Sequence, residues 1–222
     1  MDIARFKSGL LQSNMYVLSE NGEAIIIDPF VSEEIFENME LVPSLVILTH
    51  EHFDHISGVN FIKEHYRLPV YASAACAENL KKPNRNLSRH FDAFCQMQSW
   101  IPGYICNYSG DYSCSADITF SDGTEIEWRG HTIKLIEAPG HSSGSILIYV
   151  DEKFLFAGDS IFRDYPTGTR FTGGSTRDFE TKTRPIIESF PNGTIVYPGH
   201  FDSFRIEERF HEKEQNDASF QI

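Results

Sequence analysis

The sequence has no apolar run long enough to cross a bilayer and no apolar signal-peptide core at its start. A membrane-spanning helix needs about 20 consecutive, mostly apolar residues, and the apolar runs of this 222-residue chain are much shorter. A secretory signal carries a continuous apolar segment, whereas the first six residues include Asp2 and Arg5. These absences predict a protein without a membrane partner that works in the cytoplasm.

Cysteine is scarce, and its spacing is unlike that of a zinc ribbon or a redox pair. The four cysteines are Cys76, Cys95, Cys106 and Cys114, and none of them forms a CxxC pair. Thiols stay reduced in the cytoplasm, so four free structural thiols are expected. The alternative is a disulfide between Cys106 and Cys114, which flank a Gly-Asp turn.

Basic residues are also in short supply. The chain has 19 Lys and Arg against 32 Asp and Glu, which gives a net charge of −13. Because nucleic-acid binding depends on the neutralisation of phosphates, this balance argues against a nucleic-acid partner and favours a small-molecule substrate. The length suits one domain with a sizeable core over residues 1–222. The sequence leaves the oligomeric state open.

Potential metal ligands, in contrast, are concentrated in one short segment. His50, Glu51, His52, Asp54 and His55 follow the apolar run 45–48 directly. Imidazoles and carboxylates bind divalent transition metals, and residues i and i+2 of an extended segment point the same way, so His50 and His52 can reach one ion. Asp54 and His55, beyond the turn, can then serve a second ion. The helical zinc motif HExxH is excluded because its second histidine is missing, so the pattern predicts a metal site that is dinuclear.

Four further motifs each place a histidine or an aspartate after an apolar run or in a glycine-containing turn. Asp28 ends the apolar run 24–27, His141 lies in a Pro-Gly-His turn, Asp159 follows the run 154–158, and His200 follows Gly199. Together with HxHxDH, these motifs resemble the signature of the metallo-β-lactamase superfamily. The resemblance extends over residues 15–200 or so.

The resemblance implies a complete set of metal ligands. It assigns one ion to His50, His52 and His141, the other ion to Asp54, His55 and His200, and a bridging role to Asp159. It also implies that Asp28 supports the histidine loop, since metal ligands need orienting partners. Two divalent ions are therefore expected, zinc first, with iron or manganese as alternatives. Four remaining histidines are interpreted as ordinary surface or packing residues: His65, His90, His131 and His211.

The fold class follows from the alternation of strand and helix signals and from the resemblance. Asn21-Gly22 between two apolar runs predicts a hairpin, and helices are predicted over 57–66, 74–81, 177–189 and 204–214. Mixed strands with helices predict two covered sheets, which the resemblance sharpens to a four-layer αβ/βα sandwich of two mixed β-sheets. Residues 83–116 are poorly patterned and rich in aromatics. They are expected to form either a substrate lid or a satellite core.

The predicted activity is hydrolysis of a thioester, ester or related acyl bond by a metal-bridging hydroxide, with Asp54 and Asp159 as catalytic residues. Within the superfamily, the segments 139–145 and 158–162 resemble the short glyoxalase II-like (hydroxyacylglutathione hydrolase-like) enzymes. A departure occurs at Arg170, where many relatives carry an acid. Arg163, Arg170 and Arg177 are candidate anchors for a substrate carboxylate.

Other functions compete with this hydrolase. The main alternative is a mononuclear iron persulfide dioxygenase, which would use His50, His141 and Asp159 as a two-histidine, one-carboxylate triad. A phosphodiesterase or nuclease is disfavoured by the acidic charge, and a lactonase or β-lactam hydrolase is also less favoured. A non-catalytic binding domain is disfavoured because no expected ligand is missing.

Overall fold

The computed structural model describes residues 1–96, 104, 106, 108, 110–121 and 123–210. Within these residues the chain forms two six-stranded mixed sheets. The strands of the first sheet, in spatial order, are β1 (Asp2–Lys7), β2 (Asn14–Glu20), β3 (Glu23–Ile27), β4 (Val42–Ile47), β5 (Val70–Ser73) and β6 (Ile118–Phe120). The pairs from β1 to β3 are antiparallel, and those from β3 to β6 are parallel.

The second sheet is built from the later half of the chain. Its strands are β7 (Thr124–Trp128), β8 (His131–Glu137), β9 (Ile146–Val150), β10 (Phe154–Gly158), β11 (Ile195–Pro198) and β12 (Phe204–Arg205). The pairs from β7 to β10 are antiparallel, β10 and β11 are parallel, and β12 returns antiparallel to β11. Both sheets are therefore mixed, as predicted.

Short helices cover the sheets. They are α1 (Glu33–Glu37), α2 (Phe53–Ile56), α3 (Val59–His65), α4 (Ala74–Leu80), α5 (Phe91–Gln96), α6 (Thr176–Asp178) and α7 (Arg184–Ser189). Between α6 and α7 the chain forms a π-helical turn (Phe179–Thr183). Pro185, at the start of α7, has no N–H to donate to the preceding turn. The predicted helix over 177–189 is thus present, but it is interrupted by this π-helical segment.

The four layers follow from strand alternation. In β2, Met15 and Val17 point to the outer face of the first sheet, whereas Tyr16 and Leu18 point between the sheets. Successive residues of a strand face opposite sides, and both sides of β2 are buried, so it carries an uninterrupted apolar run. The inner core joins the two sheets, and a separate core forms on the outer face of each. The predicted αβ/βα sandwich is confirmed.

The hairpin between β2 and β3 is also confirmed. Asn21 has φ of 50° and Gly22 has φ of 83°, the left-handed conformations that a two-residue type I′ turn requires.

The predicted helix over 204–214 is wrong for the residues that the structure describes. Phe204 and Arg205 instead pair with β11, and a 3₁₀ turn (Ile206–Glu208) follows. Phe204 and Ile206 are buried while Arg205 is exposed. This alternation suits a strand and favours it over the helical period. Residues 211–214 of that prediction lie outside the described residues.

Other predictions concern the insertion, the cysteines and the membrane. Parts of the 83–116 segment lie outside the described residues, but α5 lies within it and packs with Leu11 and Phe53 in a small apolar cluster. All four cysteines are free thiols, so Cys106 and Cys114 are not paired. Among the described residues, no helix has the length and apolar character needed to span a membrane.

Candidate metal centre

The HxHxDH segment lies at the carboxyl end of the parallel part of the first sheet. β4 ends at Ile47, the chain passes through an extended loop, and α2 begins at Phe53. Asp28 follows the adjacent strand β3, and Asp159 and His200 follow β10 and β11 of the other sheet. Carboxyl ends of parallel strands are the usual place for ligand sites. The topology therefore brings these distant residues to one edge of the sandwich.

His50, His52 and His141 form the group that we call the first triad. Their side chains are buried, and one ring nitrogen of each lies within 4.8 Å of the others. Nδ1 of His52 is 2.9 Å from Nε2 of His141. The buried Nε2 atoms of His50 and His52 have no hydrogen-bond partner in the described structure. Such orphaned buried groups are costly, and a metal ion would satisfy the one on His50.

Asp54, His55 and His200 form the second triad. Nε2 of His55 lies 3.4 Å from Nε2 of His200, and Oδ2 of Asp54 lies 3.4 Å and 3.3 Å from these two nitrogens. Two nitrogens and one carboxylate oxygen thus face a common point from three directions.

Asp159 lies between the two triads. Its carboxylate oxygens are 3.6 Å from Nε2 of His141 in the first triad, and 3.5 Å and 3.4 Å from the Nε2 atoms of His55 and His200 in the second. Among the described residues, no donor forms a hydrogen bond with its Oδ1. The carboxylate therefore faces both groups.

The donor spacing fits metal coordination. Bonds of 2.0–2.1 Å from zinc to nitrogen or oxygen in a tetrahedron separate neighbouring donors by about 3.3 Å. The donors of the second triad lie 3.3–3.4 Å apart, which matches that separation. The donor set, the spacing within the second triad and the orphaned atoms of His50 and Asp159 fit bound metal.

The outer nitrogens of four histidines are held by acceptors. In each, the Nδ1 atom can donate a hydrogen bond to a nearby oxygen. This contact fixes the ring so that its Nε2 atom faces the centre. The pairs are His50 with Oγ1 of Thr49 (3.0 Å), His55 with Oδ2 of Asp28 (3.0 Å), His141 with the Gly168 carbonyl (2.8 Å) and His200 with the Leu11 carbonyl (3.1 Å).

The two triads differ in their electrostatics. Burial lowers the pKa of His52 to about 3, and the nearby His141 acts in the same direction. Burial also lowers the pKa of His55 and His200, but the carboxylates of Asp54 and Asp159 outweigh it and raise these values to about 9 and about 10. Without metal, the first triad is neutral at pH 7 and the second triad holds protons.

Two buried acids support the loop from opposite sides. Asp28 accepts hydrogen bonds from the Thr49 N–H (2.7 Å) and from Nδ1 of His55. Glu51 accepts from Nδ2 of Asn79 and from Oγ of Ser142, both at 2.8 Å. The sequence identified Asp28, and its proximity to His50 and His55 would also suit a ligand. Its existing hydrogen bonds assign it the supporting position.

The sequence marks Glu51 only as a potential metal ligand, and it gives no sign of the supporting contacts of Thr49 and Leu11. Leu11 and Gln12 have φ of 52° and 56°, a conformation that costs energy in residues other than glycine. This bend brings the Leu11 carbonyl to His200. Leu11 acquires this role only through its contact with His200, which is 189 positions away in the chain. No local feature of the sequence indicates such a contact.

The expected carboxylate anchors lie elsewhere. Arg163 is exposed and pairs with its neighbour Asp164, and Arg170 and Arg177 are also exposed. The cleft over the metal centre has a volume of about 270 Å³, and none of these three arginines lines it.

Of the other histidines, His131 contacts Asp151 and Glu20, His65 contacts the Phe61 carbonyl, His90 is exposed, and His211 lies outside the described residues.

Comparison with known proteins places this geometry in a family. The model of the metallo-β-lactamase superfamily matches residues 8–200. An uncharacterized protein of Mycobacterium tuberculosis is 29% identical over 95% of this chain and 96% of its own length. A hydroxyacylglutathione hydrolase of Pectobacterium carotovorum is 26% identical over 86% of this chain and 62% of its own length.

Solved structures agree. The BLEG-1 B3 metallo-β-lactamase has a TM-score of 0.76 at 27% identity and covers 93% of this chain and 95% of its own. TTHA1623, solved in a di-iron-bound form, has a TM-score of 0.67 at 23% identity over 92% and 96%. The matched span includes every candidate ligand from His50 to His200. The chain therefore belongs to the metallo-β-lactamase superfamily.

Proposed function

We propose that this protein is a dinuclear metal-dependent hydrolase of thioesters, esters or related acyl bonds. His50, His52 and His141 would hold one ion, Asp54, His55 and His200 the other, and Asp159 would contact both. The observation that carries the proposal is the convergence of both triads on Asp159, at separations of 3.4–3.6 Å. Zinc is the expected metal, and iron or manganese are the alternatives.

Bound ions would polarise the scissile carbonyl and lower the pKa of a bound water to about 7. The protein's own contribution is to fix the ligand geometry and to shape the cleft. Asp54 and Asp159 both line that cleft, so Asp54 can accept a proton from the attacking water. The hydroxyl of water goes to the acyl carbon, the acyl–sulfur or acyl–oxygen bond breaks, and the proton passes to the leaving thiol or alcohol.

The cleft favours water over a side chain as nucleophile. Its described lining residues include no Ser, Thr, Cys or Lys, which are the usual covalent nucleophiles. They also include no Arg, the usual partner of phosphate. Acyl hydrolysis thus fits the lining better than phosphodiester cleavage.

Elemental analysis of anaerobically purified protein, together with a thioester and ester panel, tests the proposal. We expect about two zinc-like ions per chain and hydrolysis that His50→Ala abolishes. His131→Ala, which removes a histidine outside both triads, is the matched control and retains activity. About one iron per chain, with no hydrolysis and oxygen consumption in the presence of persulfide, would instead establish the dioxygenase alternative.

A further inference from the structure

One side of the cleft is an aromatic wall built on the first triad. The ring centroid of Phe171 lies 5.7 Å from that of His141 and 6.3 Å from that of His52. Phe94, from α5 in the 83–116 segment, packs edge-on against Phe171 at 5.2 Å. Both phenylalanines line the cleft. Phe171 thus borders the first triad where it opens onto the cleft, and Phe94 extends the wall away from it.

The opposite wall is also aromatic. Tyr165 and Phe201 stack with centroids 5.1 Å apart and an interplanar angle of 26°, and Phe162 meets Phe201 edge-on at 5.9 Å. All three rings line the cleft beside His200. Apart from the metal-site polar groups, the substrate meets ring faces on both sides.

The backbone fixes these walls. Phe201 has φ of 70°, and its carbonyl accepts hydrogen bonds from Nδ2 of Asn14 and from Arg5. A Cβ at Gly168 would lie 2.5 Å from the ring of Phe171, so glycine there leaves room for the ring. The Gly168 carbonyl also accepts from His141. The same turn therefore holds a metal-site histidine and positions the aromatic wall.

Outside the metal centre, the described lining of the cleft offers no cationic side chain. Its described lining contains no Lys or Arg, and the sequence from residue 91 to residue 110 contains no Lys, Arg or His. Asp54 and Asp159 are the acids at its base. A carboxylate on the acyl group, held between the aromatic walls and away from the metal centre, would lose hydration without gaining a cationic partner among the described lining residues, which is unfavourable.

We propose, on the basis of the hydrolase function proposed above, that the cleft selects substrates with a neutral, apolar acyl group of aromatic or branched type. The volume of about 270 Å³ lies just below the usual range of small-molecule pockets, which favours a compact acyl group. Aromatic pairs prefer edge-to-face or offset arrangements with centroids 4.5–7 Å apart, the geometry that the wall rings already adopt. Phe171 is the specificity-determining residue.

The test uses zinc-reconstituted protein and a set of thioesters that share one neutral leaving thiol and differ only in the acyl group. We expect kcat/KM to be at least about 100-fold higher for phenylacetyl than for succinyl, and about 10-fold higher than for acetyl, because one methylene in an apolar pocket is already worth about 10-fold. Phe171→Ala should reduce the phenylacetyl preference about 10-fold, and Phe171→Leu should retain most of it. Phe190→Ala, a half-buried ring on the outer face of the second sheet, should leave it unchanged.

Binding provides a second readout that does not need turnover. Phenylacetate and acetate carry the same carboxylate, so calorimetry should show phenylacetate binding at least about 10-fold more tightly, an advantage that Phe171→Ala removes. The proposed substrate class is wrong if phenylacetate and acetate bind with equal affinity, or if the succinyl thioester has the same kcat/KM as the phenylacetyl thioester. Neither result would contradict the proposed hydrolase activity. Absence of hydrolysis with every thioester, alongside selective phenylacetate binding, would overturn the proposed reaction and keep the apolar pocket.

Discussion

The two triads use similar ligands under opposite electrostatic conditions. The first consists of three histidines, and burial lowers the pKa of His50 and His52. The second includes the carboxylate of Asp54, and it adjoins Asp159, so His55 and His200 have raised pKa values. The first triad presents neutral nitrogens before any metal arrives. The second would release protons on binding the proposed metal.

This contrast shows that the two triads need different features of their surroundings to be ready for a metal. The first triad depends on geometry, because its ligands are already in the binding protonation state. The second depends on its acids, which compensate buried charge in the absence of metal. Asp159 belongs to both halves, and its loss should have the largest effect.

Replacement of Asp159 by Asn should abolish turnover. Asn keeps the shape but removes the charge that faces His141, His55 and His200, so we expect kcat to fall about 1,000-fold or more. Steady-state kinetics on zinc-reconstituted protein measures this. Asp151→Asn, the same change at an exposed turn, is the control. Turnover near the wild-type rate in Asp159→Asn would refute a shared bridging carboxylate.

Gly199→Ala should displace Asp159 and His55 and so weaken the second triad more than the first. A Cβ at this position would clash first with Oδ1 of Asp159, and it would lie 2.7 Å from Cε1 of His55, closer than packed atoms allow. We expect stepwise calorimetry to show that zinc affinity falls about 100-fold at the second triad, where both His55 and Asp159 are displaced, and falls less at the first, where only the contact with Asp159 is disturbed. Gly9→Ala, where a Cβ meets nothing within 4 Å, should behave like wild type. Equal loss at both triads would mean that the two halves are not independent.

The sequence predicts the metal centre better than it predicts the cleft. HxHxDH brings four candidate ligands within six residues, so local chemistry alone indicates metal. Phe171 and Phe201 come from separate loops, and a phenylalanine in a loop carries no local sign of facing a site. The terminal strand at Phe204 was missed for a related reason. Its pairing with Val196 is a tertiary contact, and tertiary contacts override local pattern.

Asp28→Asn should weaken the second triad by a smaller factor. Asp28 has φ of 52°, which Asn tolerates, so the substitution changes the hydrogen bonds more than the backbone. The loss of a charged acceptor for Nδ1 of His55 should cost 10–100-fold or so in zinc affinity at the second triad, as is usual for orienting partners. Calorimetric titration of the metal-free variant measures this. Unchanged affinity would show that Asp28 does not orient His55.

Glu51→Gln should give the smallest effect and should act on the first triad. Glu51 joins the loop that carries His50 and His52 to Ser142, the residue next to His141. Gln retains the shape and can still accept from Asn79, but it lacks the second acceptor oxygen that Ser142 uses. The loss of one buried hydrogen bond costs about 1 kcal/mol, so we expect Tm to fall by about 2–4 °C and zinc affinity to fall less than about 10-fold, at the first triad only. Ser143→Ala removes a neighbouring hydroxyl that also contacts Asn79 but does not contact Glu51, and it should leave first-triad affinity unchanged. A Glu51→Gln variant that instead weakens the second triad would show that the buried acid supports the whole histidine loop, and the two halves would then share their support as well as Asp159.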